Sequence, residues 1–98
     1  MPKHTADELQ RFSIEDYLRR KGLPHLRVRR YGVQLIVESG PTDDPVRHVR
    51  FHRRSSQVWT LDIASHTGAW EPTAFSGKIE HLADQLVADF PWTLEPVE

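Results

Sequence analysis

The sequence predicts a single α+β domain over residues 1–98, an antiparallel sheet of three to five strands flanked by an N-terminal and a C-terminal helix. Three observations carry this expectation. Apolar residues fall at helical spacing near both ends: Ile14, Tyr17 and Leu18 early, then Ile79, Leu82, Ala83, Leu86, Val87 and Phe90 late. Between them apolar and polar residues alternate with the period of two that marks half-buried strands. The 98 residues suffice for one modest core, with no repeat, low-complexity tract or linker that would divide them.

The first helix is read from about Ala6 to Lys21, either whole or as a short helix followed by a stronger one. Thr5-Ala6-Asp7-Glu8 has the form of a capping box, and Ser13-Ile14-Glu15-Asp16 offers a second start. Arg19, Arg20 and Lys21 suit the negative end of the helix dipole. Gly22 is a natural stop, and Pro24 forbids continuation. Leu26 and Val28 then alternate with Arg27 and Arg29, and Val33, Leu35 and Val37 with Gln34 and Glu38. Tyr31-Gly32 is either a tight turn or a bulge in one long strand. Residues 39–45 hold two prolines, a glycine and two aspartates, a loop composition.

From Val46 to Arg54, strict alternation puts Arg47, Val49, Phe51 and Arg53 on one face. His48, Arg50, His52 and Arg54 fall on the other. After a turn at Ser55-Ser56, Trp59, Leu61 and Ile63 line a core face, opposite Thr60, Asp62 and Ala64. Residues 66–68 read as another turn. Ala69 to Glu71 reads as a short edge strand closed by Pro72. The last helix is the clearest amphipathic pattern in the chain and ends at Pro91, with Trp92 and Leu94 folding back over the core.

Charge is sorted along the chain. Residues 17–54 hold ten of the thirteen basic residues and three acids, a net of +7. Residues 55–98 hold one base and seven acids, a net of −6. The near-neutral total of −1 thus conceals a basic middle and an acidic C-terminal half. There is no cysteine, which disfavours a disulfide-stapled secreted protein and a thiolate zinc site. No apolar run approaches a membrane span, and none follows the first residues as a signal peptide requires. A cytoplasmic protein is expected, with no membrane partner.

The candidate site is the basic stripe formed by Arg27, Arg29, His48, Arg50, His52 and Arg54 on the sheet face away from the helices. Arginine suits phosphate and carboxylate because its planar fork donates two bonds at once. The expected function is a small non-enzymatic binding module whose basic face engages an anionic partner, nucleic acid or an acidic protein surface. No cofactor is expected. This reading requires Val49 and Phe51 to point under the helices and their neighbours to stand in water. Should Arg50 instead be tucked into ion pairs with Glu38 or Asp62, or positive and negative groups be scattered evenly over the exterior, the case for an anion-seeking surface disappears. A homodimer or larger homo-oligomer is a second reading, one copy's basic face meeting another's acidic helix or open edges pairing.

Other chemistries have less support. His48 and His52 are four apart, which on a strand separates them by roughly 13 Å at ~3.3 Å per residue, too far to share a metal. His81 and Asp84 sit three apart on a helix but lack further ligands. No serine lies in a nucleophile-elbow motif, and no glycine-rich phosphate loop occurs. A metal-independent ribonuclease needs only His, Arg and a carboxylate to converge, and His48, His52, Arg50 and Glu38 supply those groups. The aromatic residues that would stack RNA bases on such a sheet are few: Phe51 and Trp59 fall on the core face, leaving Tyr31 and Trp70. Trp70 and Trp92 are expected to staple the last helix.

Trp59-Thr-Leu-Asp-Ile-Ala64, the segment His66 to Gly77 (HTGAWEPTAFSG) and Phe90-Pro-Trp-Thr-Leu94 resemble a pattern in short uncharacterised bacterial and actinophage proteins. The resemblance covers about the C-terminal half. It implies a small bacterial or phage accessory protein and carries over no functional residue. The preference for arginine over lysine, ten to three, fits a GC-rich coding source. The element order also resembles the double-stranded-RNA-binding domain, but that family's last helix starts lysine-rich, whereas this one starts Lys78-Ile79-Glu80 and continues acidic.

Overall fold

The computed structural model describes residues 8–65 and 67–95. They form α1 (Glu8–Arg20), β1 (Arg27–Tyr31), β2 (Gln34–Ser39), β3 (Val46–Arg53), β4 (Trp59–Ala64), β5 (Trp70–Gly77), α2 (Ile79–Asp89) and a 3-10 turn (Pro91–Leu94). The five strands make one antiparallel sheet in chain order. This is the predicted α+β class, with the full complement of five strands.

α1 is one helix over the described residues, and Ser13 lies inside it rather than starting a second. The capping-box residue Thr5 is outside the described residues. The C-terminus closes as the sequence suggests. Leu23 N–H donates to Leu18 C=O and Gly22 N–H to Arg19 C=O, both at 3.1 Å, with Gly22 at φ +84°. That double closure needs a left-handed residue, which glycine adopts without steric cost.

The open question at Tyr31-Gly32 resolves as a turn. Tyr31 pairs with Gln34 across a two-residue loop, Gly32-Val33, and Gly32 has φ +60°. Glycine first in a two-residue hairpin loop is the type II′ arrangement, whose twist matches the strands it joins.

Both helices pack on the same sheet face. Val28, Leu35, Val37, Val49, Phe51, Trp59 and Leu61 meet Ile14 and Leu18 of α1, and Ile79, Leu82, Ala83 and Leu86 of α2. Val49 and Phe51 are fully buried, so the pleat runs as the alternation requires. Each side chain of this size removed from water contributes roughly 1.5–3 kcal/mol before ordering entropy is set against it. Leu94 caps the core as expected. Trp92 does not: it is 62% exposed and meets Phe90 edge-on at 5.5 Å, while Phe90 meets Phe75 at 5.7 Å.

β5 corrects the expected short strand, for it runs through Pro72 to Gly77. Proline is tolerated because β5 is an edge. Between the pairs Thr60–Ser76 and Asp62–Pro72, one residue of β4, Leu61, opposes three of β5. Thr73 stitches this irregularity: its hydroxyl donates to Leu61 C=O at 2.9 Å and accepts from Phe75 N–H at 3.2 Å. The opposite edge, β1, is partly occupied by α1. Val28 N–H donates to the Glu15 carboxylate at 2.8 Å, and Arg11 donates to Val28 C=O at 3.3 Å.

Candidate functional site

The sheet face away from the helices is not covered by any other element among the described residues. The register assigns its side chains. Arg29, Ile36, Arg50 and Asp62 lie in one row across β1 to β4. Arg27 stands beside Glu38, and His52 beside Thr60. Arg54, just past β3, reaches Thr60 Oγ1 with its Nε at 3.1 Å. Of the six residues expected here, five are present: Arg27, Arg29, Arg50, His52 and Arg54.

His48 is the exception, and a bulge is the reason. Val37 pairs with Val49 but Glu38 pairs with Arg47, so His48 is one residue too many for β2. The extra residue reverses the phase of β3 before it. His48 turns to the helix side, where it is 4% exposed and bonded at both ring nitrogens. Nδ1 lies 2.6 Å from Thr93 C=O, and Nε2 lies 2.7 Å from Ser39 Oγ. A carbonyl only accepts, so Nδ1 carries the proton and Nε2 accepts from the hydroxyl. Burial pushes the ring's pKa below the usual histidine range, nearby His25 adds to this, and the Thr93 bond opposes it. His48 therefore belongs to the core, not to the basic stripe. Arg47 takes its place on the open face, exposed and with no hydrogen bond or ion pair among the described residues.

The arginines are not all free cations. The Asp62 carboxylate, almost wholly buried, accepts from Arg50 Nε at 2.8 Å and Nη2 at 2.6 Å, a fork grip that immobilises Arg50. Glu38, equally buried, bridges Arg27 and Arg29: Arg27 Nη2 lies 3.2 Å and Arg29 Nε 3.1 Å from its oxygens. Arg50 is thus tucked into the ion pair with Asp62 that the sequence reading sets against an anion-seeking surface, and the stripe as read from alternation does not stand; any anion site rests on the other arginines. A surplus remains. Five arginines (Arg27, Arg29, Arg47, Arg50, Arg54) face two carboxylates, Glu38 and Asp62, that lie under their stems and expose almost nothing to solvent. His52 adds no charge near neutral pH, since burial, then Arg54 and Arg50, lower its pKa. Its Nδ1 is buried without a hydrogen-bond partner.

Two aromatic rings frame this surface. Tyr31, at the end of β1, is 63% exposed, with the Arg29 guanidinium 5.6 Å from its ring centre. Trp70, at the start of β5, has the Arg50 guanidinium 4.9 Å from its ring. It lies on the open face and does not staple α2. Tyr31, Trp70, Arg29, Arg47 and Arg50 line one shallow depression of about 400 Å³, floored by the buried side chain of Ile36. Arg47 was not legible as a site residue, because Arg47-His48 is a polar pair and carries no apolar phase to betray a bulge.

The ribonuclease arrangement does not assemble. His48 and His52 point to opposite sides of the sheet, and Arg50 and Glu38 are each committed to other partners. Among the described residues no cluster of three or more His, Asp or Glu could hold a metal ion. Among the described residues no helix is long and apolar enough to cross a membrane. No family model, no curated protein and no solved structure matches this chain.

Proposed function

We propose that this protein is a small binding module whose open sheet face engages an anionic partner, in the accessory role that the resemblance of its C-terminal half implies. The observation that carries the reading is the surplus of arginine over carboxylate on a face that no described element covers. The two acids do not cancel the field. They are sunk beneath the guanidinium groups, so an approaching anion meets the positive layer first. Glu38 and Asp62 act as fasteners that hold Arg27, Arg29 and Arg50 in place, lowering the ordering entropy an anion must supply on binding. Arg47 and Arg54 supply the exposed positive charge.

Titration with inorganic polyphosphate at 50 mM and 200 mM salt tests this. Binding at the lower salt that weakens steeply at the higher is the expected outcome. Arg47→Glu with Arg54→Glu should weaken it at least tenfold and flatten the salt slope, because two cations are replaced by two anions at the point of contact. Equal, salt-insensitive behaviour of parent and double variant would remove the proposal.

A further inference from the structure

Resting on that anion-binding reading, we infer that the anion is a single-stranded nucleic acid, with bases stacking on Tyr31 and Trp70 and phosphates meeting Arg29 and Arg47. Charge alone does not choose among polyanions; the rings do. An anionic patch without aromatics serves a duplex or a polyphosphate, since neither has a free π-face to offer. Unstacked bases do, and proteins that bind single strands pair a basic groove with aromatic platforms.

The geometry places both kinds of group in one depression. Tyr31 and Trp70 lie on the two edge strands of the sheet, four inter-strand spacings (about 19 Å at ~4.8 Å each) apart across it and, by register, about four residues apart along it. Arg50 of the central strand lies between them, and Arg29 and Arg47 line the same depression on either side of it. A strand crossing from one ring to the other runs over the arginines. Each ring has a guanidinium within 6 Å of its centre, Arg29 for Tyr31 and Arg50 for Trp70. Those guanidinium groups are tethered to Glu38 and Asp62. The platforms are therefore steadied from the sheet side before any ligand arrives. An acidic peptide would use the arginines equally well, but it has no flat group for two rings set so far apart. A duplex keeps its base faces inside the stack and would leave both rings idle.

Fluorescence anisotropy decides the matter with four probes at 50 mM salt: a labelled 12-nucleotide oligothymidine, a 12-nucleotide oligouridine, a 12-base-pair DNA duplex, and a labelled polyglutamate. The single strands should bind at least tenfold tighter than the duplex or polyglutamate. Tyr31→Ala should cost about tenfold on the single strands and leave the duplex unchanged, with the salt slope preserved because no charge is lost. Trp70→Ala should behave alike. Should it disturb folding by circular dichroism, Tyr31→Ala alone decides, as its ring stands at the surface. Equal affinity for all four probes, or no effect of Tyr31→Ala on the single strands, overturns this inference and leaves the anion-binding reading intact. Tightest binding of polyglutamate makes the partner an acidic protein and also overturns it. Binding of none of the four, like a failure with polyphosphate, removes both.

Discussion

At the scale of single residues, His48 shows how one position can change role without changing type. Its neutral ring joins β2, β3 and the Pro91–Leu94 turn through Ser39 and Thr93, while His25 Nε2 meets Leu94 C=O at 2.6 Å beside it, the two rings 6.4 Å apart. A proton on Nε2 would collide with the Ser39 O–H unless the hydroxyl turns round, and would place charge in the core. The folded state therefore resists protonation that the unfolded chain accepts at the ordinary histidine pKa of about 6.5. Below that pH the unfolded state binds more protons, so stability rises with pH there. The contribution of His48 is fully present above pH 6.5 and is lost as the pH falls toward its depressed folded value. Urea midpoints at pH 7 and pH 5 should show the parent weakened at pH 5. His48→Gln, which cannot titrate, should show a smaller difference and a lower midpoint at pH 7. An identical pH dependence in the two proteins would remove His48 as the source, leaving His52, whose pKa is also lowered.

At the scale of elements, the edge of β1 depends on α1. Glu15 accepts the Val28 N–H that no neighbouring strand takes, and Arg11, itself 3.3 Å from Glu15, covers Val28 C=O. The pair stands in for a sixth strand and keeps another chain from adding there. Glu15→Ala leaves the Val28 amide without its acceptor, a loss of about 1–3 kcal/mol. Glu15→Gln keeps an acceptor oxygen and should lose less. Thermal denaturation measures the ranking, and light scattering at high concentration should find association in Glu15→Ala alone. A Glu15→Ala protein as stable and as monodisperse as the parent would show that the contact does neither job. The sequence shows why Glu15 is hard to find: in mid-helix it reads as one more surface acid, and its partner is thirteen residues away on another element. Legibility followed that line throughout. The close of α1 at Gly22, the α2 stripe and the pleat of β4 and of β3 from Val49 onward are legible in local periodicity, and they stand where the spacing puts them. The bulge at His48, the stitched irregularity at Thr73 and the passage of β5 through Pro72 depend on which strand lies opposite, and no local pattern reports that. The stripe survives with one exchange, Arg47 for His48, because the alternation was right on one side of the bulge and inverted on the other.

At the scale of the whole molecule, the segregation of charge along the chain becomes segregation in space in part: Arg19, Arg20 and Lys21 share the helix layer with the acids of α2. The arginine surplus faces out from one side of the sheet. The exposed acids of α2, Glu80, Asp84 and Asp89, belong to the layer packed on the other side. The molecule measures 43 × 29 × 28 Å, and at 0.1 M salt fields decay over about 10 Å. The two surfaces are therefore electrically separate, although their charges nearly cancel in the net of −1. A body of this kind does not behave as its isoelectric point of about 6.6 suggests. At pH 7.5 it carries a small net negative charge, and a protein with the same charges evenly mixed would pass a cation exchanger. This protein should be held by both a cation exchanger and an anion exchanger at 20 mM salt, presenting a different face to each. Arg29→Glu with Arg47→Glu should weaken retention on the cation exchanger and strengthen it on the anion exchanger. Glu80→Gln with Asp89→Asn should do the reverse. If the parent flows through the cation exchanger, the surplus seen across the sheet is too weak to act at a distance, and only close-range contacts would remain to attract an anion.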